Sequence, residues 1–335
     1  MKRAFHFVLV TVLAAEALVI GQGPDAAKVL ADVRAALGGD ANLAAVTGMS
    51  IQGRSTRSMG DRTTTNDFEM AIELPDKFVK KEVIAVVGTS NIARTSGFNG
   101  DGLIEVVDTP PSMGGGMFIT RMSGAAPGGM QATPEQVEIQ RKALLASNKR
   151  EFARLALGMF AASSPVFPVE FTYAGEAESP DGKAYIIDVK GADGFAARMF
   201  VDTKTRLPLM LTWMDKEPLR MTMGPGGGDG RATSSAGATV VSHGGQAQGS
   251  PLTPEQVEKM RQDMEQRVKE AEATRRTVEY RVFYADYKTF AGVQLPTRIQ
   301  RMIDGKPTEE LSFEKIKVNP KFDSKKFEVT KYPNE

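Results

Sequence analysis

Cysteine is absent from the chain, and only two histidines occur among its 335 residues. His6 lies inside a hydrophobic N-terminal run, and His243 lies in a tract of glycine and serine. A Ser-His-Asp triad, a Cys-His dyad and a Cys/His zinc site all require an ordered imidazole or thiolate. The composition therefore argues against an enzyme of those designs and toward a protein that binds something. Without cysteine no disulfide can add stability, and no N-terminal lipid anchor can be attached to a thiol. An excess of one charge is missing too: Lys and Arg number 42 against 41 Asp and Glu. Nothing in that balance favours nucleic acid or an anionic membrane.

The common catalytic design that needs neither His nor Cys is a pair of carboxylates. Glu105, Asp108, Asp188 and Asp193 fall at or near predicted strand ends, but no spacing singles out two of them. Asn99-Gly100-Asp101-Gly102 lacks the remaining ligands of a calcium loop. Gly114-Gly115-Gly116 lacks the Gly-Lys-Ser/Thr that completes a phosphate loop. The sequence thus points to no catalytic residue, no metal site and no cofactor.

The N-terminus reads as a secretory signal. Lys2 and Arg3 form a basic start, Ala4–Ala15 is an apolar run, and small residues follow at Ala15, Ala17, Gly21 and Gly23. Glu16 interrupts the run, which falls short of the ~20 apolar residues that span a bilayer. The expectation is a leader over residues 1–23, an exported periplasmic protein, and no integral membrane segment after cleavage. Loss of Lys2, Arg3 and Glu16 leaves the two charge counts equal at 40 each.

Along the rest of the chain the hydrophobic period switches between 3.6 and 2. Val29, Val33 and Leu37 predict a helix over Pro24–Leu37, stopped by Gly38-Gly39. Phe68, Met70, Ile72 and Leu74 alternate as a half-buried strand would. Asn99–Gly102 is a turn leading into a strand at Leu103–Val107. Residues 109–132 are rich in Gly, Pro and Met, and are read as a disordered insertion or as a mobile hydrophobic flap.

Thr133-Pro134-Glu135-Gln136 opens a helix with an N-cap, a first-turn proline and a capping-box Gln, and Val137, Leu144, Phe152, Leu155 and Met159 mark its buried face. Strands follow at Val169–Tyr173, Tyr185–Val189, Met199–Val201 and Leu207–Trp213, with turns at Ser179–Gly182 and Asp202–Thr205. A second low-complexity segment covers 224–252. The six residues Thr253–Glu258 then repeat the earlier helix start word for word, a shared capping solution rather than an internal repeat. That second helix has a narrow stripe of Val257, Met260, Met264, Val268 and Ala271, so most of its girth should face water.

The last block holds Tyr280-Val282-Tyr284 and a hairpin at Asp304-Gly305 between Gln294–Ile303 and Thr308–Val318. Leu311 and Phe313 are out of phase with Ile316 and Val318, which predicts a bulge near Glu314-Lys315. Helices alternating with blocks of strands give an α+β fold: one large curved antiparallel sheet with helices gathered on one face.

The segment Tyr284–Pro296, YADYKTFAGVQLP, followed by Thr297-Arg298-Ile299, a hairpin, Val318-Asn319-Pro320 and Phe322-Asp323…Phe327, resembles the bacterial outer-membrane lipoprotein-sorting proteins of the LolA/LolB-like superfamily. Asp202-Thr203-Lys204-Thr205-Arg206-Leu207-Pro208 is similar to that superfamily's mid-sheet Asp…Thr…Leu-Pro element. The resemblance implies a single domain over 24–335, with the two low-complexity segments as insertions. It implies an incomplete β-barrel whose concave face is covered by helices and encloses an apolar cavity for acyl chains. The superfamily's functional arginine cannot be placed on any residue here, so none is carried over.

On that reading the alternating strand residues would line the cavity: Phe68, Met70, Ile72, Phe171, Tyr173, Tyr185, Ile187, Leu209, Leu211, Trp213, Tyr280, Val282 and Tyr284. The same pattern also fits ordinary packed core. Two functions remain open. One is a carrier that holds an acyl lipid or lipoprotein cargo without covalent chemistry. The other is a non-catalytic envelope protein, structural or sensing, that binds a protein partner on the same scaffold through the charged helix 253–276 and the two loops.

Overall fold

The computed structural model describes residues 25–59, 62–87, 90–108, 134–180, 182–218, 220–221, 232–233 and 253–330. The predicted leader, segment 109–132, nearly all of 224–252 and His243 lie outside them, as do the side chains of Val257, Met260, Met264 and Val268.

Four α-helices are described: α1 (Ala26–Ala36), α2 (Asp40–Ala44), α3 (Pro134–Phe160) and α4 (Pro254–Thr274). The strands before α3 are β1 (Gly48–Met59), β2 (Arg62–Glu73), β3 (Lys77–Val87), β4 (Ser90–Asn99) and β5 (Gly102–Asp108). Between α3 and α4 come β6 (Val169–Ser179), β7 (Gly182–Gly191), β8 (Ala196–Asp202) and β9 (Pro208–Lys216), then the two-residue β10 (Arg220–Met221) and β11 (Ala232–Thr233). The chain finishes with β12 (Thr277–Phe290), β13 (Val293–Ile303), β14 (Lys306–Val318) and a 3-10 turn at Ser324–Phe327. Twelve strands form one sheet in the order β5-β4-β3-β2-β1-β14-β13-β12-β9-β8-β7-β6, while β10 and β11 pair with each other. Strands β5 and β6 end the order without pairing to each other, so the sheet does not close, and the fold is α+β with an open antiparallel sheet.

The chain divides into two compact units, each assembled from three stretches. The first comprises Met1–Thr65, Phe152–Met214 and Glu279–Asn319. Its helix α1 is capped by the Asp25 carboxylate, which accepts from Ala27 N. Asp25, rather than the expected Pro24, is therefore the residue that sets the start. Val29, Val33 and Leu37 are buried as their spacing predicts. Gly39 N closes the helix onto Arg34 O, and the Gln294 backbone and side chain donate to Leu37 O and Ala36 O, both at 2.8 Å. Gly38 sits at φ 127, and a Cβ there would meet the Gly292 carbonyl, so only glycine lets this helix end dock on the turn between β12 and β13.

In the same unit β14 pairs with β1, and Gln52 opposes Lys315 while Gly53 opposes Phe313. Glu314 is the extra residue, and the bulge falls where the phase change predicts it. Asp304 and Gly305 both have positive φ, 51° and 72°, as a two-residue hairpin turn of the right twist requires.

The second unit comprises Asn66–Glu151, Asp215–Val278 and Pro320–Glu335. Here β2 corrects the half-buried reading. Phe68, Met70 and Ile72 are buried on one face, and Ala71 on the other joins Val79, Ile104 and Phe327 in a second apolar cluster. Phe327 comes from the 3-10 turn, and Phe322 packs edge-on against it. The residues that follow lie along β5, where Thr330 N donates to Leu103 O and Thr330 Oγ1 accepts from Glu105 N.

Candidate functional site

In the first unit, strand register gathers the expected lining residues on one face. Ile187 pairs with Met199 and Met199 with Leu211, a row with no exposed surface. Phe171 lies opposite Val189, and Tyr173 opposite Ile187. Tyr185 is two residues from Ile187 on the same side of β7, with the Tyr173 and Tyr185 rings 6.4 Å apart. On β12, Val282 and Tyr284 are buried, whereas Tyr280 is half-buried and stacks on Trp213 of β9 at 5.3 Å and 16°.

The face is therefore graded. Ile187, Leu211, Val282 and Tyr284 are packed core, while Phe171, Tyr173, Tyr185, Trp213 and Tyr280 are only half-buried. Leu209, expected to point inward with them, is 39 % exposed.

Helix α3 reaches this face through polar handles. Tyr284 Oη donates to Arg154 O at 2.8 Å, and Tyr287 Oη donates to Pro208 O at 2.9 Å with Gly158 O at 3.4 Å. Burial pushes both phenols well above their ordinary range, so they remain donors. The Arg154 guanidinium lies 4.0 Å from the Trp213 ring centre and 5.3 Å from that of Phe195, a cation over two aromatic faces. At the turn after β8, Arg206 stands 4.8 Å over the Tyr185 ring. A polar row crosses the sheet beside Val282. Arg301 faces Glu309, and Glu309 accepts from Arg57 Nε at 2.9 Å and from Ser55 Oγ at 2.8 Å.

In the second unit Phe68, Met70 and Ile72 oppose Glu82, Lys80 and Phe78 of β3. Charge is buried among them. Arg94 donates to Glu105 through Nε at 2.7 Å and Nη2 at 3.2 Å, and Lys80 pairs with Glu82 at 3.1 Å. Burial raises the Glu105 pKa, and Arg94 opposes that rise. Of the other carboxylates considered for hydrolysis, Asp108 pairs with Lys81 and Asp188 with Arg198, while Asp193 is exposed in a turn. Among the described residues no three His, Cys, Asp or Glu converge as a metal site would need. No described helix is long and apolar enough to cross a membrane.

Two open depressions flank α4. One is lined by Glu255, Glu258, Lys259, Gln262 and Asp263, the other by Glu217, Pro218, Ala271, Thr274, Arg275 and Arg276. The first is predominantly charged, and the second sets Glu217, Arg275 and Arg276 beside Pro218, Ala271 and Thr274.

Sequence reasoning selected the aromatic residues and missed the cations beside them. Arg206 lies inside the Asp202–Pro208 motif, and its place beyond a turn was the available signal. Arg154 carried none, since a helix of this length offers several arginines and only the docking of α3 selects one.

No family model matches the chain, and no curated protein matches it. Several solved structures do. An outer membrane lipoprotein-sorting protein domain from Vibrio parahaemolyticus is 8 % identical with a TM-score of 0.43, over 90 % of this chain and 97 % of that one. A LolA superfamily protein from Nitrosomonas europaea is 8 % identical with a TM-score of 0.43, over 91 % and 98 %. A DUF1329 family protein from Desulfovibrio piger is 9 % identical with a TM-score of 0.40, over 91 % and 98 %.

Proposed function

We propose that the chain is an exported, non-catalytic carrier that holds lipid-modified or otherwise hydrophobic cargo without covalent chemistry. The observation that carries this reading is the graded aromatic face of the first unit. Phe171, Tyr173, Tyr185, Trp213 and Tyr280 are only half-buried beside a fully packed row. An acyl chain laid on those rings gains roughly 0.8 kcal/mol for each methylene it buries. Tyrosine and tryptophan suit the margin because one end of each is apolar and the other can meet water. The secretory pattern of residues 1–23 supports a periplasmic setting for this activity.

Trp213 is the chain's single tryptophan and stands in the proposed site, so its fluorescence reports binding directly. Titrating the mature protein with saturated fatty acids of rising length should tighten binding about fourfold per added methylene. An affinity independent of chain length contradicts the reading. The alternative, a protein that binds a partner, draws on the charged depressions along α4, and it predicts that flat response.

A further inference from the structure

The turn between β8 and β9 is built around one carboxylate. Asp202 Oδ1 accepts from Lys204 N at 2.9 Å, from Thr205 N at 2.6 Å and from Thr205 Oγ1 at 3.0 Å. The turn is closed by Arg206 N donating to Asp202 O at 2.9 Å and Asp202 N donating to Leu207 O at 3.0 Å. This frame holds Arg206 at φ 62, a left-handed conformation that arginine seldom adopts. The guanidinium is thereby set over Tyr185, at the margin of the half-buried aromatic face.

The charge on Arg206 is unusual in its surroundings. Arg34, Arg57, Arg94, Arg198, Arg298 and Arg301 each meet a carboxylate within 4 Å. Among the described residues Arg206 has no such ion pair. Hydrogen bonding to the Tyr185 side chain is the largest influence on its charge. Asp32 and Asp202 act on it more weakly from farther away, and the Asp202 carboxylate is engaged by the turn. A guanidinium offers five donors in a planar fork suited to phosphate or carboxylate. With one donor engaged by Tyr185, the fork keeps further donors for a ligand.

We infer that Arg206 anchors the polar end of an anionic amphiphile, its phosphate or carboxylate meeting the guanidinium while its apolar chain runs along Tyr185 and Tyr173. This rests on the carrier reading and narrows it to cargo with a negative headgroup.

The test is calorimetric titration of the mature protein with dodecyl phosphate, with uncharged dodecyl maltoside and with inorganic phosphate, the amphiphiles below their micelle concentrations. Wild type should bind dodecyl phosphate at least about tenfold more tightly than the maltoside, the gain expected of a charge-assisted contact. Arg206→Asn should abolish that preference, bringing the two amphiphiles to equal affinity. Asparagine enters the left-handed region readily, so the turn should survive. Arg206→Lys, charged but without the planar fork, should keep part of the preference. Wild type that binds both amphiphiles equally, or Arg206→Asn that keeps the preference, overturns the anchor and leaves the carrier reading standing. Inorganic phosphate that binds as tightly as dodecyl phosphate also overturns it, by making the site one for free anions. Failure of wild type to bind either amphiphile removes the carrier reading itself.

Discussion

Gly158 shows how closely α3 rests on the sheet of the first unit. A Cβ at this position would run into the Tyr284 ring, and the ring is buried with its hydroxyl held by Arg154 O. Gly158→Ala should cost about 1–3 kcal/mol by overpacking, measured by urea denaturation. In the second unit, the buried Arg94–Glu105 pair makes a different demand. Arg94→Met strands a buried carboxylate and should cost about 3–5 kcal/mol at neutral pH. The sign with pH follows from the raised Glu105 pKa. The folded state holds that proton more tightly than the unfolded one, so this group favours folding below the ordinary Glu value of 4.5. The benefit is lost as pH rises through the higher folded value. Without Arg94 the rise is larger, so the deficit of Arg94→Met should shrink as pH falls toward and below 4.5. A deficit unchanged across that range contradicts a buried, ionised Glu105. Neither residue pair was legible in the sequence. Arg94 and Glu105 meet diagonally across β4 and β5, and Gly158 matters only because of a tyrosine far along the chain.

At the scale of elements, the ends of the sheet strands are tied by single side chains. Asn319, at φ 51, accepts from Thr47 N at 2.8 Å and donates to Ala45 O at 2.8 Å, joining the end of β14 to the start of β1. Asn319→Ala loses both bonds and a residue suited to left-handed backbone, and should cost about 2 kcal/mol. Phe327 anchors the C-terminal segment over Ala71, Val79 and Ile104. Phe327→Ala should cost about 3–5 kcal/mol and speed amide exchange along β5, whose edge that segment covers.

The Asp304-Gly305 hairpin and the bulge at Glu314 were readable because turn chemistry and strand phase are local. Strands β1, β3 and β4 were not. Ser55, Lys80 and Arg94 stand at buried positions of these strands and erase the alternation that would announce them. Sequence signals mark buried positions only when those positions are apolar.

At the scale of the molecule, the sheet order cannot be read from sequence, because β1 lies beside β14 at the opposite end of the chain. Ser55 and Glu309, separated by 254 positions, share a hydrogen bond. Each unit likewise draws on three separate stretches. What the sequence did reveal was the class, an antiparallel α+β fold, because alternating strands between short turns leave few other arrangements.

The central claim is that this fold holds an apolar ligand on the aromatic face of its first unit. The most direct test is organic extraction and mass spectrometry of the mature protein, purified from a bacterial periplasm without detergent. The carrier account predicts acyl lipid at near one mole per mole of protein, lost when Tyr185 and Trp213 are both replaced by Ser in a chain that stays folded. A folded wild-type protein that yields no lipid contradicts it.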